Sequence, residues 1–193
     1  MAKRASTATA TAQRRRFTVD EYRRLGAIGV LRQDDRVELL DGEIIQMTPI
    51  GSPHAGCVGA LTELFHRRFG RQALVWVQNP FQLGPWSEPQ PDLCLLRRRA
   101  DFYRTAHPAP ADVLLVVEVA DASLAYDRDR KLPAYAAGKI AEVWIVDLAG
   151  AAVDVHRRPL GRSYRDVTRH QRGTRLAPLA FPDRALRVND ILG

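Results

Sequence analysis

Cysteine is scarce in this chain, and its two copies, Cys57 and Cys94, stand in apolar surroundings. That excludes a disulfide framework and a cysteine-rich zinc site, and leaves two small buried hydrophobes in a reducing cytoplasm. No apolar run approaches the ~20 residues that cross a bilayer, and the first residues lack the apolar stretch of a secretory signal. The expectation is a cytoplasmic protein with no membrane partner. A glycine-rich phosphate loop and internal repeats are also missing. Acidic residues are absent from residues 1–16, where Lys3, Arg4, Arg14, Arg15 and Arg16 stand among Ala and Thr. Without an amphipathic stripe to make a transit peptide, this stretch reads as a disordered basic tail.

What is present is enough for one domain, residues 17–193, with 46% hydrophobic and 26% charged residues to build a core and a surface. The formal net charge is +7 and the pI about 10.0, which favours a polyanionic partner such as nucleic acid over a small acidic metabolite. Arg97 to Arg99, with Arg67, Arg68 and Arg71, are the candidate phosphate-backbone track.

Thr18 is placed to cap a short helix over Val19 to Leu25, with Asp20 and Glu21 in its first turn. Asp41-Gly42 between two strand-like runs is a two-residue hairpin signal. Counting outward pairs Leu40 with Glu43 and Glu38 with Ile45, which puts Glu38 and Glu43 diagonally on one face. Ser52-Pro53 reads as a helix start, with the serine as cap. Cys57, Val58, Leu61, Leu64, Phe65 and Phe69 then form an apolar stripe ended by Gly70. His54 lies on the first turn, where the helix N-terminus is expected to depress its pKa. Strand signals follow at 73–77, 81–83, 92–96, 113–119, 142–147 and 152–155, and Asp127 to Gly138 reads as a helix whose first turn lies near Pro133.

The chemistry concentrates in three positions: Asp92 entering one apolar strand, Glu118 near the end of the next, and Lys131 at the start of the following helix. Such an acid pair can hold a divalent metal, and a nearby lysine suits phosphodiester chemistry. A charged residue in a strand that is apolar on both faces is costly unless paired or metal-bound, so Glu118 needs a partner.

Several motifs together resemble the Uma-two family of restriction endonucleases. They are Arg36-Val37-Glu38-Leu39-Leu40-Asp41-Gly42-Glu43-Ile44, Ser52-Pro53-His54, Pro91-Asp92, Val117-Glu118-Val119-Ala120-Asp121, Ala125-Tyr126-Asp127 through Lys131, and Glu142-Val143-Trp144-Ile145-Val146-Asp147. The resemblance runs from about Phe17 to the C-terminus. It implies an α/β restriction-endonuclease-like fold of the PD-(D/E)XK superfamily, with a mixed central sheet flanked by helices and an N-terminal β-hairpin. It further implies that Asp92 and Glu118 bind Mg²⁺, with Mn²⁺ as substitute, to hydrolyse DNA. Lys131 would replace the motif lysine expected at position 120, which is Ala here. Glu38, Glu43 and His54 are the secondary candidates for remaining ligands or for groups that position them. A homodimer is compatible with the resemblance, because many nucleases of this superfamily cut two strands as dimers. The rival reading is a nucleic-acid-binding or regulatory module that keeps the fold without turnover; Ala120 favours it, and retention of both acids favours the enzyme.

Overall fold

The computed structural model describes residues 13–32 and 34–193. Most of the expected basic tail, residues 1–12, lies outside the described residues. Helix α1 (Val19–Ala27) begins as its sequence dictates: Thr18 Oγ1 accepts the Glu21 amide at 3.2 Å, while Glu21 Oε2 accepts the Thr18 amide at 2.9 Å, a reciprocal capping box.

Strands β1 (Val37–Leu40) and β2 (Glu43–Gln46) form the hairpin in the expected register, Leu40 opposite Glu43 and Glu38 opposite Ile45. Asp41 and Gly42 take φ of 51° and 81°, the left-handed pair that a two-residue turn needs. Helix α2 (Ser52–Phe69) buries all six residues of the apolar stripe. Its cap differs from expectation. Gly51 is the N-cap, no side chain caps the helix, and Ser52 is already its first residue, so the helix starts one position early.

Six strands make the central sheet, ordered β3 (Ala73–Val77), β4 (Leu93–Arg97), β5 (Val113–Ala120), β6 (Glu142–Asp147), β7 (Ala152–Leu160) and β8 (Ser163–Gln171). All neighbours are antiparallel except β5 and β6, which are parallel, so the sheet is mixed. The strand signal at 81–83 resolves into a loop. Phe81 and Leu83 are apolar because they pack under Tyr135 and Gly138, not because they alternate in a sheet.

The crossover from β5 to β6 is helical from Leu124 onward: one α-turn, α3 (Leu124–Tyr126), a π-helical turn over Asp127–Lys131, then α4 (Leu132–Ala137). Pro133 does lie in the first turn of α4. The helix nevertheless begins three residues before the expected Asp127, because the wider π-turn joins the two α segments; the Leu132 amide reaches back to the Asp127 carbonyl. Lys131 therefore sits inside a continuous helical segment and not at a free N-terminus. The last elements are β9 (Arg175–Leu176), β10 (Leu186–Arg187) and α5 (Val188–Leu192).

Alternation along β5 sorts the core. Leu115, Val117 and Val119 face α2 and α5, whereas Val116 and Ala120 face α4. Glu118 shares the parity of Val116 and Ala120, so its side chain enters the layer that holds Lys131 and Tyr135. Among the described residues no helix is long and apolar enough to cross a membrane.

Candidate active site

Asp92 and Glu118 meet at one end of the sheet because β4 and β5 run antiparallel, with Leu93 opposite Val117. Glu118 is 2% exposed and its Oε1 accepts from Lys131 Nζ at 3.0 Å and from Tyr135 Oη at 2.5 Å. Lys131, 6% exposed, also lies 3.6 Å from Glu38 Oε2. The structure thus brings the displaced lysine to the expected acid, on the same face of the sheet. Ala120, where the superfamily lysine would stand, is buried in the same layer.

Asp92 Oδ2 accepts the Val119 amide at 2.8 Å and the His54 Nε2 proton at 2.9 Å, and its Oδ1 faces the Gln78 amide at 3.4 Å. Burial by itself would raise the Asp92 carboxyl, but the hydrogen bonds from His54 and Val119 and the charge of Lys131 hold it below the usual range. The hydrogen bond to Asp92 raises the pKa of His54 against its partial burial, contrary to the depression expected from the helix N-terminus. His54 Nδ1 is buried without a partner.

The secondary acids separate. Glu38 is 1% exposed, and it accepts from the Gln90 amide at 2.9 Å and from Tyr126 Oη at 2.9 Å, which fastens the hairpin to the site. Glu43 leaves the site. Its carboxylate pairs with Arg130 at 2.6 Å and Arg14 at 3.3 Å, bracing the π-turn from outside. On the other flank Arg128 pairs with Asp154 at 2.6 Å. The turn that carries Lys131 is therefore held from β2 and from β7.

Asp127, Tyr126 and Tyr135 were not among the candidate site residues, although Tyr126 and Asp127 stand in a motif of the resemblance. Asp127 is buried beside Lys131 and accepts from Ser123 Oγ at 2.7 Å. The spacing 127, 131, 135 places Asp127, Lys131 and Tyr135 on one helical face and is the signal that could have found Asp127 and Tyr135.

Electrostatics sets what this cluster can hold. Burial pushes the Glu118 carboxyl up to about 8; Asp127 and Asp92 add to the rise and Lys131 opposes it. Burial alone would strip Lys131 of its proton, yet Glu118, Glu38, Asp127 and Asp92 together hold its pKa well above the ordinary value. One lysine and one imidazolium face four carboxylates, so the fully ionised cluster carries two uncompensated negative charges. Two charges of hard oxygen character are what a divalent cation supplies the complement to. Among the described residues no group of three or more His, Cys, Asp and Glu side chains is arranged to hold a metal ion. A divalent ion taken by the Asp92 and Glu118 pair alone would keep several of its waters.

These residues line a cavity of about 570 Å³ between the hairpin with its 47–51 linker and the 121–127 segment. A second cavity, about 460 Å³, lies beside α1 around the Arg23–Glu88 ion pair and contains none of Asp92, Glu118 or Lys131. The expected arginine track is elsewhere. α2 runs from His54 at the site to Arg67 and Arg68 at the opposite end of the sheet, and β4 leads from the residue after Asp92 to Arg97, ~15 Å away at the rise of a strand. Arg98 is spent on the Gly70 and Ala73 carbonyls and Arg99 on Asp101.

A solved structure of a protein titled a putative nuclease belonging to DUF820, from Anabaena variabilis ATCC 29413, shares this fold. The TM-score is 0.71 at 14% identity, over 91% of this chain and 97% of that one. No curated protein matches the chain. The fold is restriction-endonuclease-like, a six-stranded mixed sheet with helices on both faces. Residues 19–189, which hold the hairpin, both carboxylates and Lys131, match the model of Uma2, described as "Putative restriction endonuclease", and the chain belongs to that family.

Proposed function

We propose that the protein is a metal-dependent nuclease that hydrolyses phosphodiester bonds in DNA, with Asp92 and Glu118 holding Mg²⁺ or Mn²⁺ and Lys131 acting on the reacting phosphate. The observation that carries this is the Lys131 ammonium 3.0 Å from Glu118 in a buried cluster whose carboxylates outnumber its cations. The Uma2 family and the nuclease-titled structural neighbour support the nuclease class.

Asp92 and Glu118 would hold the divalent ion, which would supply Lewis acidity toward the phosphodiester and the attacking water. The chain's own groups do the rest. His54 and the Val119 amide hold Asp92 Oδ2 and leave Oδ1, which the Gln78 side-chain amide faces at 3.4 Å, for an ion. Tyr135 and Lys131 hold Glu118 Oε1, and Oε2 faces the Asp92 amide at 3.4 Å. The Lys131 ammonium, clamped by Glu118 and Glu38, is a charged donor beside the position where phosphoryl oxygens gain charge in the transition state. Its low exposure keeps that interaction from being screened by water.

Incubation of the purified protein with plasmid and with linear single-stranded DNA, in Mg²⁺, in Mn²⁺ and in chelator, tests the proposal. Cleavage with metal and none with chelator is expected. Binding without cleavage under all three conditions would transfer the fold to the non-catalytic module.

A further inference from the structure

We propose that the site accepts an unpaired DNA strand, one nucleotide at a time, and excludes intact duplex; this rests on the nuclease reading above. Depth is the first reason. Glu118 and Lys131 are 2% and 6% exposed, and the side chains of Asp92 and His54 are 15% and 14% exposed. A scissile phosphate has to descend between the 47–51 linker and the 121–127 segment. A stacked, paired nucleotide cannot follow it, and enzymes with buried chemistry take single strands or extrude the target unit. The volume of about 570 Å³ holds one unit of small-molecule size.

The walls supply the second reason. Ile45, Met47, Pro49 and Ile50 give the lining an apolar stretch along β2 and its linker, whereas Asp92, Glu118 and Asp127 come from the sheet end and the helical crossover; Glu38, opposite Ile45, is the carboxylate on the hairpin side. An unpaired nucleotide matches that asymmetry, with a flat base to lay on the apolar side and a phosphate to turn toward the acids. In duplex the base face is already covered by its stacked neighbours.

Charge is the third. Six acidic residues line the cavity against Arg36, Lys131 and His54, and Asp35 and Asp121 stand exposed at its rim. One phosphate can be accommodated with a divalent ion. The phosphates of a second backbone pressed to the same rim would meet Asp35 and Asp121, with Arg36 as the exposed cation of the lining.

The test uses a fluorescein-labelled oligonucleotide, alone and annealed to its complement, with the full-length protein. Cleavage is followed in Mn²⁺, and binding by fluorescence anisotropy in Ca²⁺. The single strand is expected to be cut, and bound, at least about tenfold better than the duplex. Ile50→Glu and Met47→Glu, both on the accessible wall, should lower single-strand cleavage and binding about tenfold while leaving calorimetric Mn²⁺ affinity unchanged. Duplex bound or cut as well as the single strand overturns the inference and leaves the nuclease reading in place. Tight single-strand binding with no cleavage of either probe supports the inference and overturns the nuclease reading. Unchanged single-strand cleavage and binding in both wall variants overturns the assigned base contact.

Discussion

Glu118→Gln should make the metal-free protein more stable while destroying its metal site. In the folded, chelated protein the Glu118 carboxyl is raised from its ordinary 4.5 to about 8, first by burial. A carboxyl raised by folding releases its proton on unfolding, so its penalty is nil below pH ~4.5, grows as pH rises, and levels off above about 8. At ~1.4 kcal/mol per pH unit, neutrality costs the folded state ~3 kcal/mol. Glutamine keeps the Oε1 acceptor for Lys131 and Tyr135 but replaces the oxygen that faces the Asp92 amide at 3.4 Å. Losing that long bond costs ~1 kcal/mol, which leaves a net gain of ~2 kcal/mol at pH 7. Urea denaturation in chelator, followed by fluorescence of the buried Trp144, reads this directly. The gap between variant and parent should widen from pH 5 to pH 8 (roughly the span between the two pKa values) and then close or reverse when Mn²⁺ is added, since metal stabilises only the parent by mass action. A variant less stable than the parent at the alkaline end in chelator would refute the reasoning.

Two other substitutions read different parts of the cluster. Lys131→Met removes the cation from among buried carboxylates and should cost ~3 kcal/mol in chelator; it should leave Mn²⁺ affinity undiminished by calorimetry and cut turnover by orders of magnitude. The His54 pKa is raised by Asp92, so its stabilisation is fully present below ~6.5, the unfolded value, and is lost as pH rises through the raised folded value. Melting curves of His54→Gln should therefore fall furthest below the parent on the acid side and converge with it on the alkaline side.

Much of this was legible in the chain because the signals were local. The Asp41-Gly42 turn dictated the hairpin register and so the face that Glu38 shares with Leu40 and Ile45. The six-residue stripe of α2 and the doubly apolar β5 were readable by period alone. What escaped depended on distant partners. Glu38 and Glu43 look equivalent on one face of the hairpin, yet Glu38 finds Tyr126 and Gln90 while Glu43 finds Arg130, and no spacing distinguishes them. The His54 shift was expected in the wrong direction because the local helix terminus was visible and the carboxylate of Asp92, 38 residues on, was not. The arginine clusters drew attention by composition alone, and the course of α2 and β4 carries them to the end of the sheet away from the acids.

Calorimetric titration of Mn²⁺ into the parent protein, Asp92→Asn and Glu118→Gln tests the metal site most directly. One divalent ion should bind the parent, and either substitution should abolish that binding without unfolding the chain, because neither carboxylate alone competes with the ion's hydration shell. Binding of the same affinity in both variants would contradict the Asp92 and Glu118 metal site.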